Sequence, residues 1–324
     1  MIQPPEGYTF NGSIAMNNSG DLLAGCNKES GASVFLRHNG SWQIYPEIVD
    51  DYPDQFPIAL SDNGTAILLR QGYPEYDARA LAFHLFSVDG ENVFPIPTKG
   101  VDANDSACDI GPTGDIVWSD SQGSKDVRVK LRDAKGDHVI GVGFDPHINR
   151  RGDICFNTGV RVKTPKDRHG ASYLKWEYHA KLWRDGKVTD IGTGLALDIA
   201  DDGTVIGISY PDTHDRRTCW LVKNGRRREM GTLGFSYAQP IQINSKGEII
   251  GYAKVVSKTD PRKTYVFGFF YSRGKAYDLN KLVTLPAGDS IASAEAINDS
   301  GRILCVISPP RKQIQRYAIL EPIS

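Results

Sequence analysis

A turn motif that ends in glycine, typified by "INDSG", recurs along this chain of 324 residues. Other copies read "MNNSG", "LSDNG", "IGPTG", "INRRG", "IADDG" and "INSKG". The motif glycines are Gly20, Gly64, Gly114, Gly152, Gly203, Gly247 and Gly301, and the steps between them are 44, 50, 38, 51, 44 and 54 residues. A repeat of roughly 40–50 residues is typical of folds in which one small unit is copied around a ring or along an axis.

Each copy has the same internal order. A short apolar strand A precedes the motif, and an apolar strand B follows it, as in "EIIGY". A variable stretch leads to strand C. In copies one to six a second tight turn with glycine, such as "RDG" or "KNG", then leads to strand D. Two hairpins per copy predict a four-stranded antiparallel meander, and the lack of a sustained 3.6-residue period predicts few helices.

The two ends of the chain complement each other. Copy seven has no second glycine turn and no strand D, whereas strand-like residues 8–10 precede the first strand A. The sequence therefore predicts an all-β, single-domain, seven-bladed β-propeller of four-stranded antiparallel blades, with the last blade closed by the N-terminal strand. The predicted blades cover approximately 11–52, 53–101, 102–142, 143–193, 194–235, 236–289, and 290–324 with 1–10. An open β-solenoid or two sandwiches would not explain two tight turns per copy.

The segments "AINDSGRI", "QINSKGEIIGY", "DIGTG" and "MGTLG" resemble the bacterial HAF-type repeats. The resemblance covers copies four to seven well and copies one to three loosely, because "CDIGPTGDIVWS" lacks the asparagine. It implies a propeller. It implies no particular activity, since the motif residues of that family are structural.

Both tight turns of each blade must lie on one rim of the ring, here called the short-turn rim. The variable B–C and D–A connections then lie on the opposite, long-loop rim, where binding residues concentrate. Basic residues outnumber acidic ones there in copies four to seven, and aromatic residues including Trp176 and Tyr210 lie among them. This pattern predicts an anion-binding arc. Its basic residues are Arg161, Lys163, Lys166, Arg168, Arg216, Arg217, Lys254, Arg262, Lys263, Arg311 and Lys312.

One strand A position, two residues before the motif, changes character around the ring. It holds alanine in copies one, two and seven, but Asp109, His147, Asp198 and Gln242 in copies three to six. Because strand A is innermost, we expect these four residues, here called the polar belt, to lie near the central channel. Three interpretations stay open: a hydrated channel lining, a polar binding site, or general acid–base catalysis by His147 beside Asp109 or Asp198.

Composition narrows the possible functions. A net charge of −1 argues against a nucleic-acid partner. The sequence has no apolar run long enough to predict a membrane span. Five scattered cysteines without a CxxC motif predict buried thiols and a cytoplasmic location. No cofactor or metal site is expected, and the oligomeric state is left open.

The sequence favours a recognition module over an enzyme. Such a module would bind a polar or anionic small molecule, a glycan or a partner protein on the long-loop rim, through Gln242, Arg216, Arg217, Arg262, Tyr210 and Trp176. The alternative is a lyase or hydrolase acting on a polar small molecule or saccharide, with His147, Asp198 and Asp109 at the channel mouth.

Overall fold

A computed structural model describes residues 1–28, 31–45, 54–72, 82–89, 92–96, 108–120, 127–163, 174–210, 217–257, 260, 262–309 and 316–322. These residues form seven antiparallel sheets, and the helical part of the described chain is a single 3-10 turn at Leu279–Lys281. No helix in the described ranges is long and apolar enough to cross a membrane.

The first three sheets are meanders of four strands in chain order. Blade 1 contains β1 (Thr9–Met16), β2 (Leu22–Lys28), β3 (Gly31–His38) and β4 (Ser41–Ile44). Blade 2 contains β5 (Asp54–Leu60), β6 (Ala66–Gly72), β7 (Ala82–Asp89) and β8 (Asn92–Ile96). Blade 3 contains β9 (Cys108–Ile110), β10 (Ile116–Asp120), β11 (Arg128–Asp133) and β12 (Gly136–Val142).

Blades 4 to 6 follow the same order, and the last sheet has three strands. Blade 4 contains β13 (Phe144–Ile148), β14 (Ile154–Lys163), β15 (Leu174–Arg184) and β16 (Lys187–Thr193). Blade 5 contains β17 (Leu195–Ile199), β18 (Val205–Ser209), β19 (Thr218–Lys223) and β20 (Arg226–Gly231). Blade 6 contains β21 (Tyr237–Ile243), β22 (Ile249–Val256), β23 (Thr264–Ser272) and β24 (Lys275–Asp278). Blade 7 contains β25 (Ser290–Ile297), β26 (Ile303–Ser308) and β27 (Arg316–Leu320). The predicted seven-bladed propeller is confirmed.

The repeated glycines sit where the turn needs a left-handed backbone. The motif glycines have φ values between 75° and 95°, which residues with a Cβ atom rarely adopt. In the C–D turns, Asn39, Asp185, Asn224 and Arg273 also have positive φ and each precedes a glycine with positive φ. Two successive positive φ values define the type I′ turn that suits the twist of a hairpin.

The N-terminal segment contacts the last blade, as predicted, but through Ile2. The backbone N–H of Ile2 donates to the carbonyl of Tyr317 in β27 at 2.8 Å, and this is an isolated antiparallel bridge. Residues 8–10 do not make this contact, because Thr9 and Phe10 already belong to β1 and pair with β2. Trp42 of blade 1 holds the segment from its other side, since its indole N–H donates to the carbonyl of Gln3 at 2.9 Å.

The core lies between neighbouring blades. One cluster joins Ile206 and Ile208 of blade 5 to Phe267 and Phe269 of blade 6. Trp220 is fully buried because Gly207, its cross-strand partner, has no side chain to occupy that space. Four of the five free cysteines are buried between such surfaces, and the fifth is half-buried: Cys26, Cys155, Cys219 and Cys305, with Cys108 as the fifth.

Candidate functional site

A bulge in strand A precedes three of the four polar-belt residues. The pairing of strand A with strand B shifts register between Phe144 and His147, and again between Ala196 and Asp198. The same irregularity precedes Gln242. A bulge places two residues opposite one and re-aims the side chain that follows. In blade 4 it also holds Asp145 at φ 49°, a left-handed conformation that is uncommon outside glycine.

Three of the four belt residues hydrogen-bond to the next blade. In each pair, the side-chain oxygen accepts a hydrogen bond from a backbone N–H of the next blade. That N–H belongs to the residue directly after the equivalent belt position. The pairs are Asp109 with Ile148 at 3.1 Å, Asp198 with Ile243 at 2.8 Å, and Gln242 with Ile297 at 2.7 Å. The belt therefore joins blades 3 to 4, 5 to 6 and 6 to 7.

The pKa values of the carboxyl groups at the belt are shifted more by burial than by pairing with His147. His147 Nδ1 lies 3.8 Å from Asp109 Oδ2, which is beyond hydrogen-bond range. The His147 side chain is 32% exposed and the Asp109 side chain is 26% exposed. Burial raises the pKa of Asp198 to about 6, opposed by the charge of His147. Burial likewise raises the pKa values of Asp109 and Asp145, again opposed by His147.

Arg150 crosses the channel mouth on the short-turn rim. It lies in the motif turn of blade 4, and its guanidinium contacts carboxylates from three other blades. Nη2 donates to Asp62 Oδ2 of blade 2 at 3.1 Å, Nε lies 3.2 Å from Asp201 Oδ2 of blade 5, and Nη2 lies 3.7 Å from Asp299 Oδ2 of blade 7. The Arg150 guanidinium, paired with three carboxylates, therefore spans this mouth.

A cavity of about 250 Å³ lies between the polar belt and this mouth. Asp109, Asp198 and Gln242 line it, together with Asp62 and the other carboxylates of the mouth, whereas His147 does not. Asp109 and Asp198 thus face this cavity, and the His147 ring lies beside Asp109 without lining it.

The structure places part of the predicted binding set on the long-loop rim. Trp176 is 54% exposed, and the Arg161 guanidinium lies 5.1 Å from its ring centroid. The side chain of Arg262 is 93% exposed, and its Nε atom lies 3.4 Å from Asp260 Oδ1. Five basic residues of the predicted arc lie outside the described residues: Lys166, Arg168, Arg216, Arg311 and Lys312.

Arg217 and Tyr210 belong to a compact cluster between blades 5 and 6, here called the Tyr–Arg cluster. The Arg217 guanidinium lies 5.3 Å from the ring centroids of both Tyr210 and Tyr237. Lys254 Nζ lies 5.0 Å from the Tyr237 ring, and Tyr252 stacks on Tyr237 with the ring centroids 5.9 Å apart. Burial raises the pKa of Tyr237, so its hydroxyl stays protonated at neutral pH.

Sequence reasoning missed Tyr252 and Gln239. Gln239 accepts hydrogen bonds from Arg217 and, at 3.3 Å, from the Tyr237 hydroxyl. The four residues share one face of the sheet. Gln239 pairs with Tyr252 across β21 and β22, and Tyr237 pairs with Lys254 two residues away. Alternation along these strands could have grouped the four residues.

Exposed apolar side chains also lie on the long-loop rim. Described residues on the long-loop ends of blades 4 to 6 include large apolar side chains open to solvent: Val160, Leu174, Trp176, Tyr210, Val256, Tyr265 and Val266. Strands β14 and β15, of 10 and 11 residues, carry the first three of them. Several exposed apolar side chains on one rim that also carries cations are typical of an interaction site.

Comparison with known proteins identifies the architecture. No protein-family model matches the chain, and no curated protein matches it. The β-propeller domain of the Trilobed protease from Pyrococcus furiosus is similar over 96% of this chain and 95% of that chain, with 11% identity and a TM-score of 0.63. An acylaminoacyl peptidase from Pyrococcus horikoshii is similar over 98% of this chain and 52% of that chain, with 12% identity and a TM-score of 0.58.

Dipeptidyl peptidase 4 from Porphyromonas gingivalis is similar over 93% of this chain and 50% of that chain, with 8% identity and a TM-score of 0.52. This chain thus spans about half the length of the two peptidases. At these identities the similarity shows the fold, which is that of a β-propeller.

Proposed function

We propose that this protein is a recognition module that binds an anionic ligand on the long-loop rim of blades 4 to 6. The ligand would be a phosphate-bearing small molecule, an acidic glycan or an acidic segment of a partner protein. The resemblance to HAF-type repeats is part of the same proposal, because it too implies a propeller without a fixed reaction.

The observation that carries the proposal is the stacking of cations on aromatic rings at this rim. Arg161 lies over the exposed Trp176, and Lys254 lies over Tyr237. Within the described residues neither of these two cations is paired with a carboxylate. A cation held by a ring face keeps its charge available while its side chain is already ordered, which lowers the entropic cost of binding an anion.

The enzyme alternative receives less support from the geometry. Asp109 and Asp198 already accept backbone hydrogen bonds from the next blade. His147 Nδ1 lies 3.8 Å from Asp109 Oδ2, so no hydrogen bond joins these two side chains. Catalysis by Asp109, His147 and Asp198 remains the second hypothesis.

The test is binding by a matched pair of double variants. Inorganic phosphate, nucleoside monophosphates, a sulfated oligosaccharide and a polyglutamate peptide are titrated by calorimetry at low and high salt. We expect Arg161→Ala/Lys254→Ala to weaken binding at least about tenfold, and expect binding to the unmodified protein to weaken with salt. Lys187→Ala/Arg226→Ala is the control, because both residues are exposed on the short-turn rim of blades 4 and 5. Equal binding by the two double variants would contradict the proposal.

A further inference from the structure

A second concave site lies on the long-loop side of the channel, between blades 6, 7 and 1. It is a groove of about 330 Å³, and its lining includes Ile14, Tyr252, Val266, Ser293 and Glu295. Tyr252 is also part of the Tyr–Arg cluster, so the groove adjoins the proposed anion-binding rim without sharing its cations.

Glycines occur on both sides of the groove. The pairing of β1 with β2 is interrupted between Phe10 and Ile14, where Gly12 has φ 102° and lines the groove. The strand β1 therefore continues past this point with a shifted register against β2. On the other wall, a Cβ atom on Gly268 would lie 2.7 Å from Ile291 Cγ2, so only glycine lets blade 7 pack this closely on blade 6.

Glu295 lines both this groove and the central cavity, and it brings a negative charge to their boundary. It is half-buried and accepts a hydrogen bond from the Ser293 hydroxyl. No Lys, Arg or His side chain among the described residues forms an ion pair with it. Together with burial, its charge raises the pKa of Tyr317, another groove residue, to about 12. A half-buried carboxylate without a basic partner is open to pairing with a cation that enters the groove.

We propose that the groove binds an alkylammonium group, with the charge on Glu295 and the aliphatic stem against Ile14 and Val266. The face of Tyr252 would contact the cation as it enters. The same chemistry is offered by the side chain of a lysine in a peptide and by a free aliphatic diamine. The two proposals share Tyr252, but their charged residues differ: the groove uses Glu295, whereas the anion-binding rim uses Arg161 and Lys254.

Three probes test the site by calorimetry and ligand-observed nuclear magnetic resonance. Nα-acetyl-lysine N-methylamide represents the peptide side chain, pentane-1,5-diamine represents the free amine, and Nα-acetyl-norleucine N-methylamide is the neutral equivalent. We expect at least one amine to bind at least about tenfold more tightly than the norleucine probe. The tighter amine shows which source the groove prefers. Absence of binding by both amines, or equal binding by norleucine, overturns the proposal.

Variants locate the binding. Glu295→Gln should weaken amine binding at least about tenfold, and Ala292→Met, which fills the groove while keeping the carboxylate, should do the same. Glu177→Gln removes a negative charge from the long-loop end of β15 and should leave binding within about twofold. If Glu295→Gln does not unfold cooperatively, Ala292→Met decides alone. Retained binding in a folded Glu295→Gln or Ala292→Met variant overturns the assignment.

Discussion

Asp198 combines an inter-blade hydrogen bond with an unfavourable charge. Its two carboxylate oxygens accept from the backbone N–H groups of Ile199 and Ile243, each at 2.8 Å. Burial nevertheless raises its pKa from 3.8 to about 6, although the charge of His147 opposes that rise. A group with a higher pKa in the folded state than in the unfolded state binds its proton more tightly when folded. The contribution of Asp198 to stability is therefore full at low pH and is lost as pH rises through about 6.

Asp198→Asn makes this contribution measurable. At pH 4 Asp198 is a neutral carboxylic acid whose two oxygens can still accept from the two backbone N–H groups, whereas the amide offers one oxygen and an NH2 group that cannot accept, so we expect the variant to be less stable than the unmodified protein at pH 4. That deficit should shrink by about 1–2 kcal/mol between pH 4 and pH 7, because only the unmodified protein loses stability through this group. Urea unfolding at several pH values measures the difference.

Asp137→Asn is the control of opposite sign. Its hydrogen bond with Arg132, 2.7 Å from Nε to Oδ1, lowers the pKa of Asp137. The advantage of the unmodified protein over that variant should therefore be present at neutral pH and vanish on acidification. A deficit of Asp198→Asn that does not change with pH would contradict the assignment of a raised pKa to Asp198.

At the scale of one element, the motif turn is also a connector between blades. The Asn244 amide donates to the carbonyl of Asn298 in blade 7 at 3.1 Å and to Glu248 Oε2 at 2.8 Å. Its carbonyl oxygen accepts from the backbone N–H groups of Lys246 and Glu248, which closes the turn. Asn17, Asn149 and Asn298 donate to the next blade in the same way. The motif asparagine thus shapes its own turn and fixes the next blade.

We expect Asn244→Ala to lower the free energy of unfolding by about 2–4 kcal/mol, because it leaves a buried carbonyl and two turn N–H groups without their partner. Asn244 is 4% exposed. Ser245→Ala in the same turn is the control, since that side chain is exposed and should change stability by less than about 0.5 kcal/mol. Similar urea midpoints for the two variants would show that the asparagine is not a connector.

The sequence predicts turns better than it predicts what the turns contact. Each motif glycine needs positive φ, and that need is local, so the repeat and its seven blades can be read from spacing alone. The partner of Asn244 lies 54 residues away, and that contact depends on the angle between blades. The polar belt shows the same limit. Its depth follows from strand order, but whether Asp198 faces a ligand or the Ile243 N–H depends on a bulge that the sequence does not reveal.

At the scale of the whole molecule, Arg150 connects blades that are not neighbours. Its contacts with Asp62, Asp201 and Asp299 bring blades 2, 4, 5 and 7 together across the axis. The side chain is 50% exposed, so screening by water and salt limits the strength of each pair.

Arg150→Met keeps the aliphatic stem and removes the charge, which leaves three carboxylates facing one another. We expect a loss of about 1 kcal/mol in the free energy of unfolding at low salt, and a smaller loss at 0.5 M salt. Urea unfolding at both salt concentrations checks this. Lys187→Met, an exposed residue on the same rim, should show neither effect. A loss in Arg150→Met that does not depend on salt would indicate a packing role.

Ring closure is the last property of the whole molecule that can be tested. Between the first and last blades, residues 1–5 provide the Ile2 bridge to Tyr317, the contact of Gln3 with Trp42, and a buried Ile2 side chain in a cluster with Phe10 and Tyr317. Pro4 and Pro5 have no N–H, so the segment cannot extend the bridge into a full ladder.

Deletion of residues 1–5 therefore exposes the edge of β27 and the apolar side chains beneath it. We expect the melting temperature to fall by several degrees and amide hydrogen exchange to rise first in β27 and β1. Trp42→Phe, which removes the hydrogen bond to Gln3 and part of the ring packing on Phe10 but keeps the Ile2 bridge, should cause a smaller fall. An unchanged melting temperature, with exchange in β27 as slow as in the full chain, would show that the ring holds without its N-terminal segment.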